Sequence, residues 1–151
     1  MRRALPILVL GALASAGMSC AAGVLVGHEP RTRTEPVPIG ATATALAFTQ
    51  AVLGLQAGAT GAVVGIEHTA TPDLARAILA EAARTATPVI RSGVVSALGG
   101  VLTGAEAATV LVEARIVARD DGTAMAVSWP LALRKRSGTW LVTGVGGRWG
   151  D

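Results

Sequence analysis

The sequence predicts an α+β protein in which an N-terminal transmembrane helix precedes two helices packed on a four-stranded antiparallel sheet. Three observations carry this prediction. Residues 4–27 are uncharged, residues 41–56 and 71–84 carry the signals of two helices, and the chain from residue 89 alternates between apolar and polar residues. Of the 151 residues, about 110 follow the first 40, enough for one hydrophobic core.

The uncharged segment comprises the 24 residues from Ala4 to Gly27, preceded by Arg2 and Arg3. A helix of that length spans about 36 Å, more than the ~30 Å hydrocarbon core of a bilayer. Arginines before such a segment favour a cytoplasmic N-terminus, so the rest of the chain is expected outside the cytoplasm. We therefore predict that residues 1–28 are a membrane anchor or signal segment in the cell membrane.

Three fates of this segment remain open. An uncleaved single-pass anchor is favoured by the apolar sequence that continues from Ala21 to Val26. Cleavage of a signal peptide is compatible with the small-x-small tripeptide Ala14-Ser15-Ala16. Lipidation at Cys20, the only cysteine, is the third fate, although Gly17 stands where a lipobox normally has Leu.

Residues 29–40 are predicted to be a Pro/Thr-rich stalk, because their prolines interrupt a helix and their alternating Thr and charged residues offer nothing to bury. The outer domain is expected from residue 41 to residue 151. Its first helix is predicted from Ala41 to Gln56, where apolar residues recur at three- and four-residue spacing. This predicted stripe consists of Ala45, Phe48, Val52 and Leu55.

The next stretch, Gly58–Gly65, is ambiguous between a loop and a short helical continuation. A second helix is predicted to begin at Thr71-Pro72-Asp73, with the Thr71 side chain as its cap and Pro72 in the first turn. It is expected to continue to about Arg84 and to end before Thr87-Pro88. Its buried residues are predicted to be Leu74 and Ile78.

Four strands are then predicted. The first, Val89–Leu102, is expected to be broken or bulged at Gly99-Gly100, and the second is Ala108–Arg119. After an Asp121-Gly122 turn, the third strand is Ala124–Arg136, in which Pro130 indicates an edge or a bulge. After Ser137-Gly138, the last strand is Thr139–Val145. The second strand is expected to bury Val110, Val112, Ala114 and Ile116, and the third Met125, Val127, Trp129, Leu131 and Leu133.

The charge distribution argues against direct nucleic-acid binding. The formal net charge is +3, but beyond Arg2 and Arg3 eleven basic residues face ten acidic ones. A phosphate-binding surface needs basic residues on one face, and the one cluster, Arg134-Lys135-Arg136, stands beside a predicted turn. Lys135 is the only lysine; this bias and the Ala content are typical of GC-rich genomes such as those of actinobacteria.

The C-terminal strand carries a family resemblance. Gly138-Thr139-Trp140-Leu141-Val142 resembles the "G-x-W-L-V" strand of many bacterial nuclear-transport-factor-2-like domains, and Ala108–Val112 takes the place of their central strand. The resemblance implies a cone-like domain with a curved sheet. Two membrane-tethered groups are similar: scaffold subunits of conjugative, type IV secretion-like machines, including TcpC-like proteins, and the Mce-associated membrane proteins of actinobacteria. Thr71–Ala75 slightly favours the conjugation group.

The resemblance implies a non-catalytic scaffold or accessory subunit of a bacterial envelope complex, of the conjugative type first and of Mce-dependent lipid import as the alternative. Its expected partners are the membrane, other envelope-complex proteins and a second copy of the chain. Another hypothesis is a small-ligand-binding domain. The candidate cone-lining or ligand-contact residues are Met125, Val127, Trp129, Leu131 and Trp140.

Catalytic chemistry finds little support in the sequence. His68 is the only histidine of the predicted domain, and Tyr is absent. Glu67 and His68 followed by Asp73 are the only candidates for an acid–base site, but we expect them at a loop-to-helix junction rather than inside the cone. We therefore predict no catalytic residues, no cofactor and no metal site.

Overall fold

The computed structural model describes residues 36–85 and 88–146 of the chain. The predicted anchor at residues 1–28, residues 29–35 of the predicted stalk and the last five residues of the predicted domain lie outside the described residues. Within the described ranges the fold is α+β, with three helices on an open four-stranded antiparallel sheet. The predicted class and strand number are confirmed, whereas the predicted number of helices in the domain is wrong.

Helix α1, Ile39–Ala57, lies across the sheet and contacts all four strands. It begins two residues before the predicted start. Ala45, Phe48 and Val52 of the predicted stripe are buried, whereas Leu55 is only half-buried. The helix also buries three residues outside that stripe, because a helix lying on a sheet contacts it over a wider face than one row of side chains. These are Ala41, Thr49 and Leu53.

Helix α2, Ala62–Thr69, takes up the second half of the stretch Gly58–Gly65 that the sequence left ambiguous, continues beyond it, and is the additional helix. It packs on α1 at a close approach between Gly65 and Ala51. A Cβ atom added to Gly65 would lie 2.9 Å from the Cβ of Ala51, shorter than van der Waals contact allows. The glycine that weakened the helical prediction is therefore what lets the two helices pack.

Helix α3, Pro72–Arg84, begins and ends as predicted and contacts α2 and the last strand. Ile78 is buried as predicted, whereas Leu74 is half-buried. Thr71 occupies the N-cap position, but its side chain makes no capping hydrogen bond. The predicted cap is wrong; instead, the Thr71 main-chain N–H donates to the Val142 carbonyl at 2.9 Å. Thr87, predicted to end the helix, lies outside the described residues.

The sheet is a meander with the strand order β1-β2-β3-β4. Its strands are β1 Ile90–Gly104, β2 Ala107–Ala118, β3 Ala124–Arg136 and β4 Thr139–Val145. The last three agree with the predicted bounds within one residue. The bulge in the middle of β1 lies between Ala97 and Gly99, whereas Gly99 and Gly100 stay paired with β2. The predicted bulge at Gly99-Gly100 is therefore displaced to Leu98.

Pro130 lies inside the sheet rather than on an edge strand. It pairs with Leu111 of β2, next to the last pair of the β3–β4 ladder, which joins Leu131 to Val145. Its carbonyl accepts a hydrogen bond from the Gly146 N–H at 2.9 Å. The predicted edge position is therefore wrong, because β3 lies between β2 and β4. The register shift of the β3–β4 ladder lies between Ala132 and Leu133, where Thr143 of β4 is the extra residue.

The inward face of the sheet is apolar. All four residues predicted to be buried on β2 are buried, and so are Leu131 and Leu133 of β3. The opposite face carries the ion pair between Arg115 Nε and Glu113 Oε1, 3.2 Å apart. Alternation of burial along the strands therefore has the predicted phase, which sets the helices against one face.

Two turns join the last three strands as predicted. At Ser137-Gly138, a two-residue turn between Arg136 and Thr139, both residues have positive φ, 49° and 83°. This is the hairpin turn whose twist suits antiparallel strands, and the glycine adopts it at little cost. The other turn contains Asp121 and Gly122.

One helix of the described part, α1, is long and apolar enough to cross a membrane by length and composition. Its inward residues pack on the sheet, as those of a core helix do. The predicted anchor is a different segment, residues 1–28.

Candidate functional site

Two of the five candidate contact residues belong to the main core. Leu131 is fully buried and Trp140 is 7% exposed, and both pack in the cluster that includes Phe48 and Val52 of α1. The first turn of α1 lies against the Trp140 indole, because a Cβ added to Gly40 would be 3.2 Å from Trp140 Cδ1. These two side chains fill the interior between helix and sheet.

The other three candidates, Met125, Val127 and Trp129, are half-buried on the same face of β3. They pack against a smaller apolar cluster of buried residues from α1, β1 and β2. This cluster consists of Leu53, Ile90, Ala114 and Ile116. Trp129 packs against both clusters and so stands where the main core passes into the smaller one.

The indole N–H of Trp129 is the unusual feature of this region. Trp129 Nε1 is buried and has no hydrogen-bond acceptor among the described residues. Leaving a buried donor without an acceptor costs about 1–3 kcal/mol. A ligand that met this enclosed donor would need an acceptor oxygen among otherwise apolar groups. The sequence pointed to the Trp but not to its unpaired donor.

The candidate acid–base residues do not meet in a buried site. Glu67 and His68 lie in α2 rather than at the predicted loop-to-helix junction. His68 Nδ1 is 2.8 Å from the Val64 carbonyl oxygen, at the surface. The Asp73 carboxylate, 93% exposed, pairs with Arg76 at 3.3 Å. His68 and Asp73 therefore make local contacts within their own helices.

An open groove of about 530 Å³ lies between α2 and α3. Its charged residues are Glu67 and Arg76, and the rest of its lining is apolar. The lining residues are Glu67, Pro72, Ala75, Arg76, Leu79 and Ala80. Within residues 36–85 and 88–146, no three His, Cys, Asp or Glu side chains form a group that could hold a metal ion.

The Asp121 carboxylate at the β2–β3 turn gives a prediction for its pKa. The Thr123 main-chain N–H donates to Asp121 Oδ1 at 2.9 Å, and this bond, with a further side-chain bond from Thr123, lowers the pKa of Asp121. Because the folded-state pKa is depressed, the carboxylate stabilises the fold above the unfolded pKa. That contribution is lost as the pH falls through the folded-state pKa.

Side-chain carboxyl NMR during a pH titration measures this value directly. We expect the Asp121 midpoint to lie below the ordinary aspartate pKa in the folded chain and to return to it in urea. Thr123→Val keeps the main-chain N–H, the larger cause, and removes the hydroxyl, so the pKa of Asp121 is expected to rise but to stay below the ordinary value. A midpoint at the ordinary value in the folded chain contradicts the assignment.

Comparison of the chain with family models, with curated proteins and with solved structures gave no match. The resemblance to the nuclear-transport-factor-2-like fold therefore stays a prediction that rests on the residues quoted for it.

Proposed function

We propose that this chain is a non-catalytic, membrane-anchored scaffold or accessory subunit of a bacterial envelope complex, with its domain outside the cytoplasm. Conjugative transfer is the complex we propose first. The finer description of the fold belongs to the same proposal: a transmembrane helix followed by a cone-like domain with a curved sheet. The basis for the anchor and its orientation is the uncharged segment 4–27 behind Arg2 and Arg3.

The observation that carries the non-catalytic part is the composition of the interior. Among the described residues, the buried set is apolar except for Thr49. The Thr49 hydroxyl donates to the Ala45 carbonyl at 2.8 Å, so this buried polar group is engaged within its own helix. Proton transfer needs a polar side chain within hydrogen-bond reach of a bound substrate, and the core residues supply none.

Affinity capture of the 151-residue chain from native membranes after mild crosslinking tests this proposal. The expected result is reproducible recovery of membrane subunits of one complex, including the coupling ATPase of a conjugative machine. The matched control is a chimera in which residues 1–40 carry an unrelated domain, because it separates recovery through the anchor from recovery through the domain. Equal recovery by the chimera, or no reproducible partner, contradicts the proposal.

The same capture separates the two envelope complexes. Recovery of a lipid-importer permease and its Mce proteins instead of conjugative subunits favours the accessory role in lipid import. Both roles place the partners in the membrane, so the identity of the recovered transport machinery is the discriminating result.

A second candidate function is binding of a small lipid-like molecule, favoured by the buried, unpaired N–H of Trp129 beside half-buried Met125 and Val127. Native mass spectrometry of the chain released from micelles is expected to show a bound apolar molecule. Trp129→Phe keeps an aromatic ring and removes the donor, so we expect affinity to fall about two- to tenfold. Spectra that show only the empty chain contradict ligand binding.

A further inference from the structure

The two edge strands of the sheet differ in whether another segment of the described chain hydrogen-bonds to them. At the β4 edge, Ala70 forms a bridge with Val142, and the Thr71 N–H donates to the Val142 carbonyl at 2.9 Å. The segment between α2 and α3 thus pairs with that edge at Val142, in the middle of β4. At the β1 edge, no described residue outside β2 hydrogen-bonds to the main chain of residues 91–104. One edge is closed by the chain itself, and the other presents main-chain donors and acceptors.

The composition of β1 leaves this edge unprotected. Edge strands are normally short or carry charges or proline, which prevents pairing with another chain. At 15 residues β1 is the longest strand, and Arg91 is its only charged residue. Its side chains include Val94, 71% exposed, and Leu98, 54% exposed. Register shifts disturb the strand elsewhere, but the pairing of Ser92–Ala97 with β2 is regular.

We propose that the β1 edge pairs with the β1 edge of a second copy of this chain, antiparallel and centred on Val94. The two sheets then form one eight-stranded sheet with a closed two-fold interface. In this register Val94 lies opposite Val94 of the other copy, and Ser92 lies opposite Ser96. Opposite residues of an antiparallel pair share a face and have Cβ atoms about 5 Å apart, so the two exposed valines cover each other.

The charges favour a second copy as the occupant. Residues 92–105 carry no charge, and Arg91 lies opposite Ala97 in the proposed register. No like charges therefore meet across the two-fold axis, although the chain as a whole is basic. In self-pairing, β1 also meets a strand of the same length with the same regular segment. The inference uses only residues of the domain and is independent of the proposed function.

The competing occupant is the segment that precedes α1. Val37 lies near β1, since a Cβ added to Gly100 would be 2.8 Å from Val37 Cγ2. Residues 29–35 contain a proline and four charged side chains, which makes them a poor partner for an uncharged edge. The charged residues are Glu29, Arg31, Arg33 and Glu35.

The test uses the 151-residue chain in nonionic detergent, with light scattering and sedimentation over a concentration series. The wild-type chain is expected to form dimers in a concentration-dependent way. Val94→Lys places two like charges opposite each other and is expected to raise the dissociation constant at least about tenfold. Val64→Lys is the control, because Val64 is 52% exposed on α2, a helix that packs on α1, α3 and β4. Circular dichroism checks that both variants remain folded.

Oxidative crosslinking locates the contact. In a Cys20→Ser background, Val94→Cys is expected to form a disulfide between copies, whereas Val64→Cys is not. In hydrogen exchange, the main-chain N–H groups of residues 92–97 that do not hydrogen-bond to β2 are expected to be protected only at concentrations where dimers form. A monomer at every concentration overturns the proposal. So does a dimer insensitive to Val94→Lys, since it uses another surface, and so does protection of these amides in the monomer, since the chain's own segment then covers the edge.

Discussion

Replacing Phe48 by alanine is expected to lower the free energy of unfolding by about 3–5 kcal/mol. Phe48 is the only phenylalanine, is fully buried in α1 and packs in the main core cluster. Its removal leaves a cavity between α1 and the sheet. The neighbouring side chains fill this cavity only in part, because packing between the helices and the sheet holds them in place. Domains of this size have total stabilities of about 5–15 kcal/mol, so the variant is expected to be near the limit of folding.

Urea unfolding of the 151-residue chain in nonionic detergent, followed by tryptophan fluorescence, measures this loss. The matched control is Ile39→Ala, which removes a large apolar side chain from the same helix at a position 89% exposed. That variant is expected to change the free energy of unfolding by less than about 0.5 kcal/mol. Equal effects of the two substitutions contradict the packing of α1 on the sheet.

Gly100→Ala is expected to cost about 1–3 kcal/mol, and Gly99→Ala, one residue earlier, is expected to cost little or nothing. A Cβ on Gly100 would lie 2.8 Å from the Thr109 carbonyl oxygen and 2.8 Å from Val37 Cγ2. Because Thr109 belongs to the paired strand β2, its main chain moves only if the sheet is distorted. A Cβ on Gly99 meets no described atom within 4 Å.

Each variant adds one methyl group to β1, at neighbouring residues. The two variants therefore have the same composition and the same change in strand propensity. The measurement is again the free energy of unfolding of each variant against the wild-type chain. Equal tolerance of both methyl groups contradicts the close approach of β2 and Val37 to Gly100. A large decrease in the free energy of unfolding for Gly99→Ala, with none for Gly100→Ala, contradicts the claim that Gly100 rather than Gly99 lies close to β2.

Most strands were predictable because their side chains alternate and their turns carry distinctive residues. Ala124–Arg136 and Thr139–Val145 have the predicted bounds, with Ser137-Gly138 between them. Helix α2 was not predictable by the same reasoning, because Gly58 and Gly61 before it and Gly65 within it have low helix propensity. The close contact of Gly65 with Ala51 gives that glycine its role, and this contact exists only after α1 and α2 pack.

The candidate site was predictable only in its apolar character. Alternation along β3 placed Met125, Val127 and Trp129 on the inward face, where they are found. The rest depends on how far α1 extends over the sheet: this extent decides the burial of Leu131 and Trp140 and the enclosure of the unpaired Trp129 donor. Similarly, the sequence did not indicate that the Thr71 main-chain N–H bonds to Val142 of β4, because this contact joins distant parts of the sequence.

The location of the domain tests the central proposal most directly. In a Cys20→Ser background, Asp73→Cys places one thiol at a position whose native side chain is 93% exposed. A membrane-impermeant maleimide added to spheroplasts of a bacterial host is expected to label this thiol as fully as after lysis, with the chain in the membrane fraction. Labelling only after lysis, with the chain recovered from the cytosol, contradicts a tethered domain that acts outside the cytoplasm.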